Sequence, residues 1–94
     1  MSVALTLIVR VKDWQAMARL NDTQVLAQAQ RSGVSRYRVY RNAHDASQVL
    51  FIFELPSHAG LEWLRSEGLN ECLSAVASAS DEWEWEALGC RTIG

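Results

Sequence analysis

Four stretches of this chain carry a two-residue hydrophobic period, and two carry a helical one. In Val3 to Val11 (VALTLIVRV), Val3, Leu5, Leu7, Val9 and Val11 make one face and Ala4, Thr6, Ile8 and Arg10 the other. The second face is mixed rather than polar, which predicts a central strand covered on both sides. Asp13 then stands at a helix N-cap position, followed by Trp14 and Met17 at helical spacing. Residues 13–31 contain no Pro or Gly and predict a helix, with Asn21-Asp22-Thr23 as a break or second cap and Gly33 as the stop. Nineteen helical residues span ~28 Å, close to the ~27 Å of an eight-residue strand, so this helix can return the chain to begin a strand parallel to the first.

Gly33 to Leu55 predicts a β-hairpin. Ser35 to Asn42 sets Arg36, Arg38 and Tyr40 against Tyr37, Val39 and Arg41. After the polar turn Ala43-His44-Asp45-Ala46, Gln48 to Leu55 sets Val49, Phe51, Phe53 and Leu55 against Gln48, Leu50, Ile52 and Glu54. The face with the two phenylalanines is expected under the helices; turn length leaves the pairing parity open. Pro56-Ser57 ends the strand and caps a second helix, whose stripe Leu61, Leu64, Leu69, Cys72, Leu73 and Val76 runs to about Ser78, with Gly68 dividing it. Trp63 lies off that stripe. Glu82 to Leu88 (EWEWEAL) alternates strictly and predicts a fourth strand, and Cys90 to Gly94 a tail.

The order βαββαβ in a single domain over residues 1–94 predicts an α+β, ferredoxin-like fold with a four-stranded antiparallel sheet. Composition is ordinary for a soluble domain, with 49% hydrophobic and 21% charged residues, so disorder and low complexity are excluded. Two cysteines are too few for a disulfide framework and lack metal-site spacing. The N-terminus has no signal-peptide pattern and no apolar run reaches the ~18 residues of a membrane span, which predicts a cytoplasmic protein without a membrane partner. The net charge of −2 argues against nucleic acid. It is unevenly spread: residues 1–47 carry seven Lys/Arg against three acids, and residues 48–94 two Arg against eight acids.

Asp13, Trp14 and Met17, then GVSRYRVYRN (Gly33 to Asn42) and VLFIFEL (Val49 to Leu55), resemble the small dimeric α+β-barrel proteins, among them antibiotic-biosynthesis-monooxygenase-like domains and many uncharacterised bacterial proteins. The resemblance covers about residues 3–76. It implies a homodimer in which two ferredoxin-like sheets face each other and form a barrel, and this would cover the mixed face of the first strand. It also implies a range of activities, from cofactor-independent quinone-forming oxygenases to members without known activity. Haem-degrading relatives use an Asn in the first strand with a Trp and a His on the second helix; VALTLIVRV has no Asn, so that activity is not carried over.

Arg36, Arg38 and Tyr40 suit a carboxylate, phenolate or enolate ligand if they line a pocket, between sheet and helices or inside the barrel; otherwise they form a soluble strand edge. His44, in the turn beside Asp45, and His58, at the helix start, are expected to be exposed, and with Tyr40 they are the weak candidate bases. Trp83 and Trp85 share a face, suited to packing, an interface or an aromatic clamp. Glu82, Glu84 and Glu86 share the other; no His or Asp accompanies them, so no metal is expected. The charge asymmetry suggests instead that Arg36, Arg38 and Arg41 of one subunit approach these glutamates in the other. An RNA-recognition reading fails because VALTLIVRV has no aromatic, SQVLFIFEL lacks an Arg/Lys-Gly opening and the net charge is negative, and a metal chaperone fails for want of Cys-x-x-Cys. Two classes remain: a cofactor-independent, monooxygenase-like enzyme on an aromatic or polyketide-like molecule, with its catalytic residues unassigned, and a non-catalytic dimeric ligand-binding or accessory module.

Overall fold

The structure is a computed structural model that describes residues 2–66, 73–74, 76–89 and 91–93. Strands β1 (Val3–Val11), β2 (Arg36–Arg41), β3 (Gln48–Leu55) and β4 (Ala77–Glu86) form one antiparallel sheet in the order β2-β3-β1-β4. This is the expected ferredoxin-like topology, with β1 and β3 central and β2 and β4 as the edges. Helices α1 (Trp14–Leu20) and α2 (Leu26–Arg31), joined by a π turn over Asn21–Val25, follow β1; α3 (His58–Ser66) follows β3. Asp13 caps α1 as predicted, its carboxylate accepting from the Ala16 N–H at 3.1 Å. Gly33 ends α2 at φ 77°, the left-handed conformation that glycine adopts without a Cβ penalty.

The α-helix over residues 13–31 is interrupted at Asn21-Asp22-Thr23, as one of the two readings expected, without a second cap. The helix continues through one wide turn at Asn21–Val25, and Thr23 Oγ1 donates to the Arg19 carbonyl at 2.7 Å. In a regular α-helix Val25 and Ala29 would stand about 80° and about 120° round from Met17. One extra residue in the π turn brings both back by about 100°, onto the buried face with Met17. The core lies between this helical layer and the sheet. Leu5, Leu7, Phe51, Phe53 and Leu55 meet Met17, Val25, Ala29, Leu61 and Leu64 there, all buried. Phe51 and Phe53 stack with centroids 6.2 Å apart, and Tyr37 meets Phe53 edge-on at 5.0 Å.

Two expectations about the C-terminal half are corrected. The second helix does not run to Ser78: Val76 is in a turn and Ala77 already belongs to β4. β4 therefore begins five residues before Glu82 and ends at Glu86 rather than Leu88. Gly68, Leu69 and Cys72 lie outside the described residues. The Lys12 N–H bonds the Val76 carbonyl at 2.8 Å, and a β-bulge between Ile8 and Arg10 absorbs the change of register where β4 starts. Small residues (Ala77-Ser78-Ala79-Ser80) carry no alternating pattern, which hid this part of the strand.

Candidate functional site

Register sorts every edge residue onto one of the two sheet faces. β3 pairs with β1 and β2 so that Phe51 faces Leu7 and Val39, while Ile52 faces Thr6 and Arg38. β4 pairs with β1 so that Glu84 stands opposite Leu5 and Trp83 opposite Thr6. The helix-side face thus takes Tyr37, Val39, Arg41, Glu82, Glu84 and Glu86. The other face, which no helix among the described residues covers, takes Arg36, Arg38, Tyr40, Trp83 and Trp85.

On this open face the side chains form level rows across four strands. Trp85, Ala4, Glu54 and Arg36 make one row; Trp83, Thr6, Ile52 and Arg38 the next; Asp81, Ile8, Leu50 and Tyr40 the third. The centre is half-buried and mostly apolar, through Ala4, Ile8, Leu50 and Ile52, with Thr6 and Glu54 among them, and it is flanked by indoles on one edge and guanidinium groups on the other. Trp83 and Trp85 are 61% and 54% exposed, and Tyr40 49%. The Trp85 Nε1–H donates to Thr6 Oγ1 at 2.8 Å, holding the indole down toward its own sheet.

A cavity of about 550 Å³ opens at one end of this face. Its lining includes Ala4, Ser35, Arg36, Arg38, Glu54 and Trp85. Arg36 Nε lies 3.6 Å from Glu54 Oε2. Arg38 is half-buried and makes no ion pair among the described residues, so its charge is the uncompensated one. Tyr40 lines a separate hollow of about 240 Å³ with Ile8, Asn42, Gln48 and Leu50. Arg36, Arg38 and Trp85 are therefore brought together, with Trp83 beside them, whereas Tyr40 stands at the other end.

The histidines stand elsewhere. His44 is exposed in the hairpin turn, where Asn42 Oδ1 accepts from the His44 and Asp45 N–H groups at 2.7 and 3.1 Å. His58 opens α3 and lies 3.9 Å from Glu86, a charged pair when the imidazole is protonated. Neither lines the cavity. In the same turn Asp45 accepts hydrogen bonds from the Ser47 hydroxyl and N–H and pairs with Arg10, which holds its carboxyl below the usual range. A placement of the arginine strand between sheet and helices is ruled out for Arg36 and Arg38, since that side carries Tyr37 and Val39 instead.

The proposed approach of Arg36, Arg38 and Arg41 to a partner's glutamates is also corrected. Arg65 on α3 reaches over β4 and binds both Glu82, at 3.3 Å, and Glu84. Arg41 sits over the Trp14 ring, 5.8 Å from its centroid, on the helix side. No group of three or more metal-ligating side chains occurs among the described residues. No helix among them is long and apolar enough to cross a membrane.

No protein-family model matches the sequence, and no curated protein matches it. Solved structures do. SnoaB, a cofactor-independent oxygenase from Streptomyces nogalater, superposes with a TM-score of 0.79 over 95% of each chain at 14% identity. An antibiotic biosynthesis monooxygenase superposes at 0.69 over 93% of this chain and 99% of its own, at 14% identity. The chain has the antibiotic-biosynthesis-monooxygenase-like fold. A dimeric ferredoxin-like protein from an uncultured marine organism shares it at 0.67, over 99% of this chain and 93% of its own at 11% identity. The fold expected from GVSRYRVYRN and VLFIFEL is thus present, at identities too low to carry residue roles across.

Proposed function

We propose that this chain works in the cytoplasm as a homodimer, one domain per subunit, joined through the open face of the sheet into a dimeric α+β barrel. We assign it a monooxygenase-like role on an aromatic or polyketide-like molecule, without a cofactor. The observation that carries the reading is the open face itself: a mostly apolar centre with two exposed tryptophans on one edge and, on the other, Arg38 without an ion pair among the described residues. Four strands about 4.8 Å apart and about 27 Å long give a footprint of roughly 500 Å² per subunit, near the lower bound for a specific dimer before side-chain relief is counted. A monomer would leave this surface in water. The dimeric ferredoxin-like protein and SnoaB support the assembly and the chemistry by their fold.

The chemistry asks for an electron-rich ring whose phenol or enol ionises. Arg38 favours that anion by charge, and Trp85 offers its ring face. Proton loss goes to solvent, as no imidazole lines the cavity. The anion reduces O₂; a ring CH₂ becomes C=O and the second oxygen atom leaves as water, so atoms and electrons balance without another reductant. Oxygen uptake by purified protein with hydroxylated polycyclic aromatics tests this: one O₂ consumed per quinone formed, lost in Arg38→Gln, supports it. Quinone formation no faster than in buffer refutes the catalytic role. The second reading, a non-catalytic ligand-binding or accessory module, is favoured by one observation: the helix-side interior is filled by Phe51, Phe53 and their neighbours.

A further inference from the structure

We propose that residues 88–93 form a strap, hinged at Gly89, that folds over the mouth of the open-face cavity of its own subunit and seats Ile93 on Ala4. Strap and cavity belong to one chain, so the inference needs no partner subunit and stands or falls apart from the homodimer.

The segment already borders the cavity. Beyond the end of β4 at Glu86, the Ala87 N–H donates to the Ser2 carbonyl at 2.9 Å and anchors the chain beside the start of β1. Ser2, Ala87 and Gly89 then stand in the cavity wall together with Ala4, Glu54 and Trp85. Beyond Ala87, no hydrogen bond or ion pair among the described residues holds the chain. The same stretch carries Leu88 and Ile93, the two most exposed large hydrophobic side chains among the described residues.

A free aliphatic side chain beside a hollow floored by Ala4 and the Trp85 indole leaves apolar surface in water on both sides, and bringing the two together removes both. A turn at Gly89 is unhindered: a Cβ there would meet nothing within 4 Å, and glycine takes the conformations a sharp turn needs. The four residues from Gly89 to Ile93 reach at most about 14 Å. Ala4, on the strand next to β4, is about 4.8 Å from that edge, and Glu54 about 10 Å, so the whole floor is within reach. Ordering the strap costs conformational entropy of the same order as the burial of one isoleucine returns, so open and closed forms coexist. A molecule in the cavity that touches Ile93 shifts the balance toward the closed form. Closed, the strap keeps water out of the cavity, as lids do over other sites.

Disulfide trapping tests the strap in the full chain with its native cysteines replaced (Cys72→Ala, Cys90→Ser). Ala4→Cys with Ile93→Cys places one thiol in the cavity and one on the strap. His58→Cys with Ile93→Cys is the decoy, because His58 lies 3.9 Å from Glu86, at the same end of β4 but on the helix side. His58 is also more exposed than Ala4, so a tail moving at random meets it at least as often. Mild oxidation, non-reducing electrophoresis and peptide mass spectrometry read the rate and the chains joined. The expected result is an intrachain disulfide that forms at least roughly tenfold faster with Ala4→Cys than with the decoy. Glu54→Cys, on the next strand of the same row, carries the same expectation and decides the matter if Ala4→Cys folds poorly. Equal rates, a faster link to the decoy, or no link at all overturn the inference. A disulfide joining two chains also overturns it, because the strap would then serve a second copy, and leaves the homodimer standing.

Discussion

Arg65 ties the helix-side face of β4 to α3, and its removal has a calculable effect. The guanidinium joins two carboxylates two residues apart, Glu82 and Glu84, and so holds their shared face toward α3. The register with β1 places Trp83 and Trp85 on the opposite, open face. The three side chains are 45%, 23% and 43% exposed, so solvent screens the attraction strongly. Each contact is worth about 0.2–1 kcal/mol in such a setting, and the pair of contacts about 1 kcal/mol for Arg65→Ala. Arg65→Glu replaces attraction by repulsion among three like charges and should cost about 2 kcal/mol. Urea denaturation at fixed protein concentration reads both, and the penalty should shrink in 1 M salt as screening tightens. If Arg65→Glu leaves the midpoint unchanged, the glutamates are not held by α3. Glu84→Arg separates the ideas further: it should lower fold stability while leaving dimer dissociation unchanged, whereas an intersubunit role for Glu84 predicts the reverse.

Other outcomes follow from buried and crowded groups. Tyr37 Oη is buried with no hydrogen-bond partner among the described residues, so Tyr37→Phe should stabilise the fold by about 1 kcal/mol in chemical denaturation. Burial, then the Asp22 charge, raises the Tyr37 pKa. The folded state therefore keeps the proton after the unfolded chain has lost it, stability falls as pH rises above about 10, and Tyr37→Phe should flatten that alkaline limb. A Cβ at Gly60 would lie 2.7 Å from the Ser32 carbonyl oxygen and 3.0 Å from Leu55 Cδ2. Gly60→Ala gains about 1 kcal/mol of helix propensity but meets backbone, so a net loss of about 1–2 kcal/mol is expected by thermal melting; a stabilised protein would show that α3 shifts freely. The lowered Asp45 pKa contributes stability above the ordinary carboxylate value near 4, lost as pH falls through the folded value. Asp45→Asn should lower Tm at neutral pH and reduce its fall in acid.

The sheet was legible because its strands announce themselves. VALTLIVRV and QVLFIFEL alternate or are rich in β-branched residues, and the bounds of β1 and β3 follow directly. The mixed second face of β1 also pointed to a face that the helices do not cover. Three features were not legible, each for a physical reason. The π turn answers a phase mismatch between Met17 and Val25 that only the sheet beneath makes costly. Ala77 to Ser80 has helix-compatible small residues, and pairing with β1 overrides them. The fate of the glutamates depended on Arg65, an exposed helix residue that no motif marks. The competing uses of the basic strand are now split by side: Arg41 packs on Trp14, while Arg36 and Arg38 face the open surface.

The central claim is that the open face is the seam of a homodimer, and sedimentation equilibrium tests it most directly. The subunit mass is 10.6 kDa. Wild-type protein should sediment at about twice that mass at micromolar concentration, and Ile52→Glu, which places a charge in the apolar centre of the face, should sediment as a folded monomer. A wild-type monomer, or a dimer indifferent to Ile52→Glu, would contradict the account.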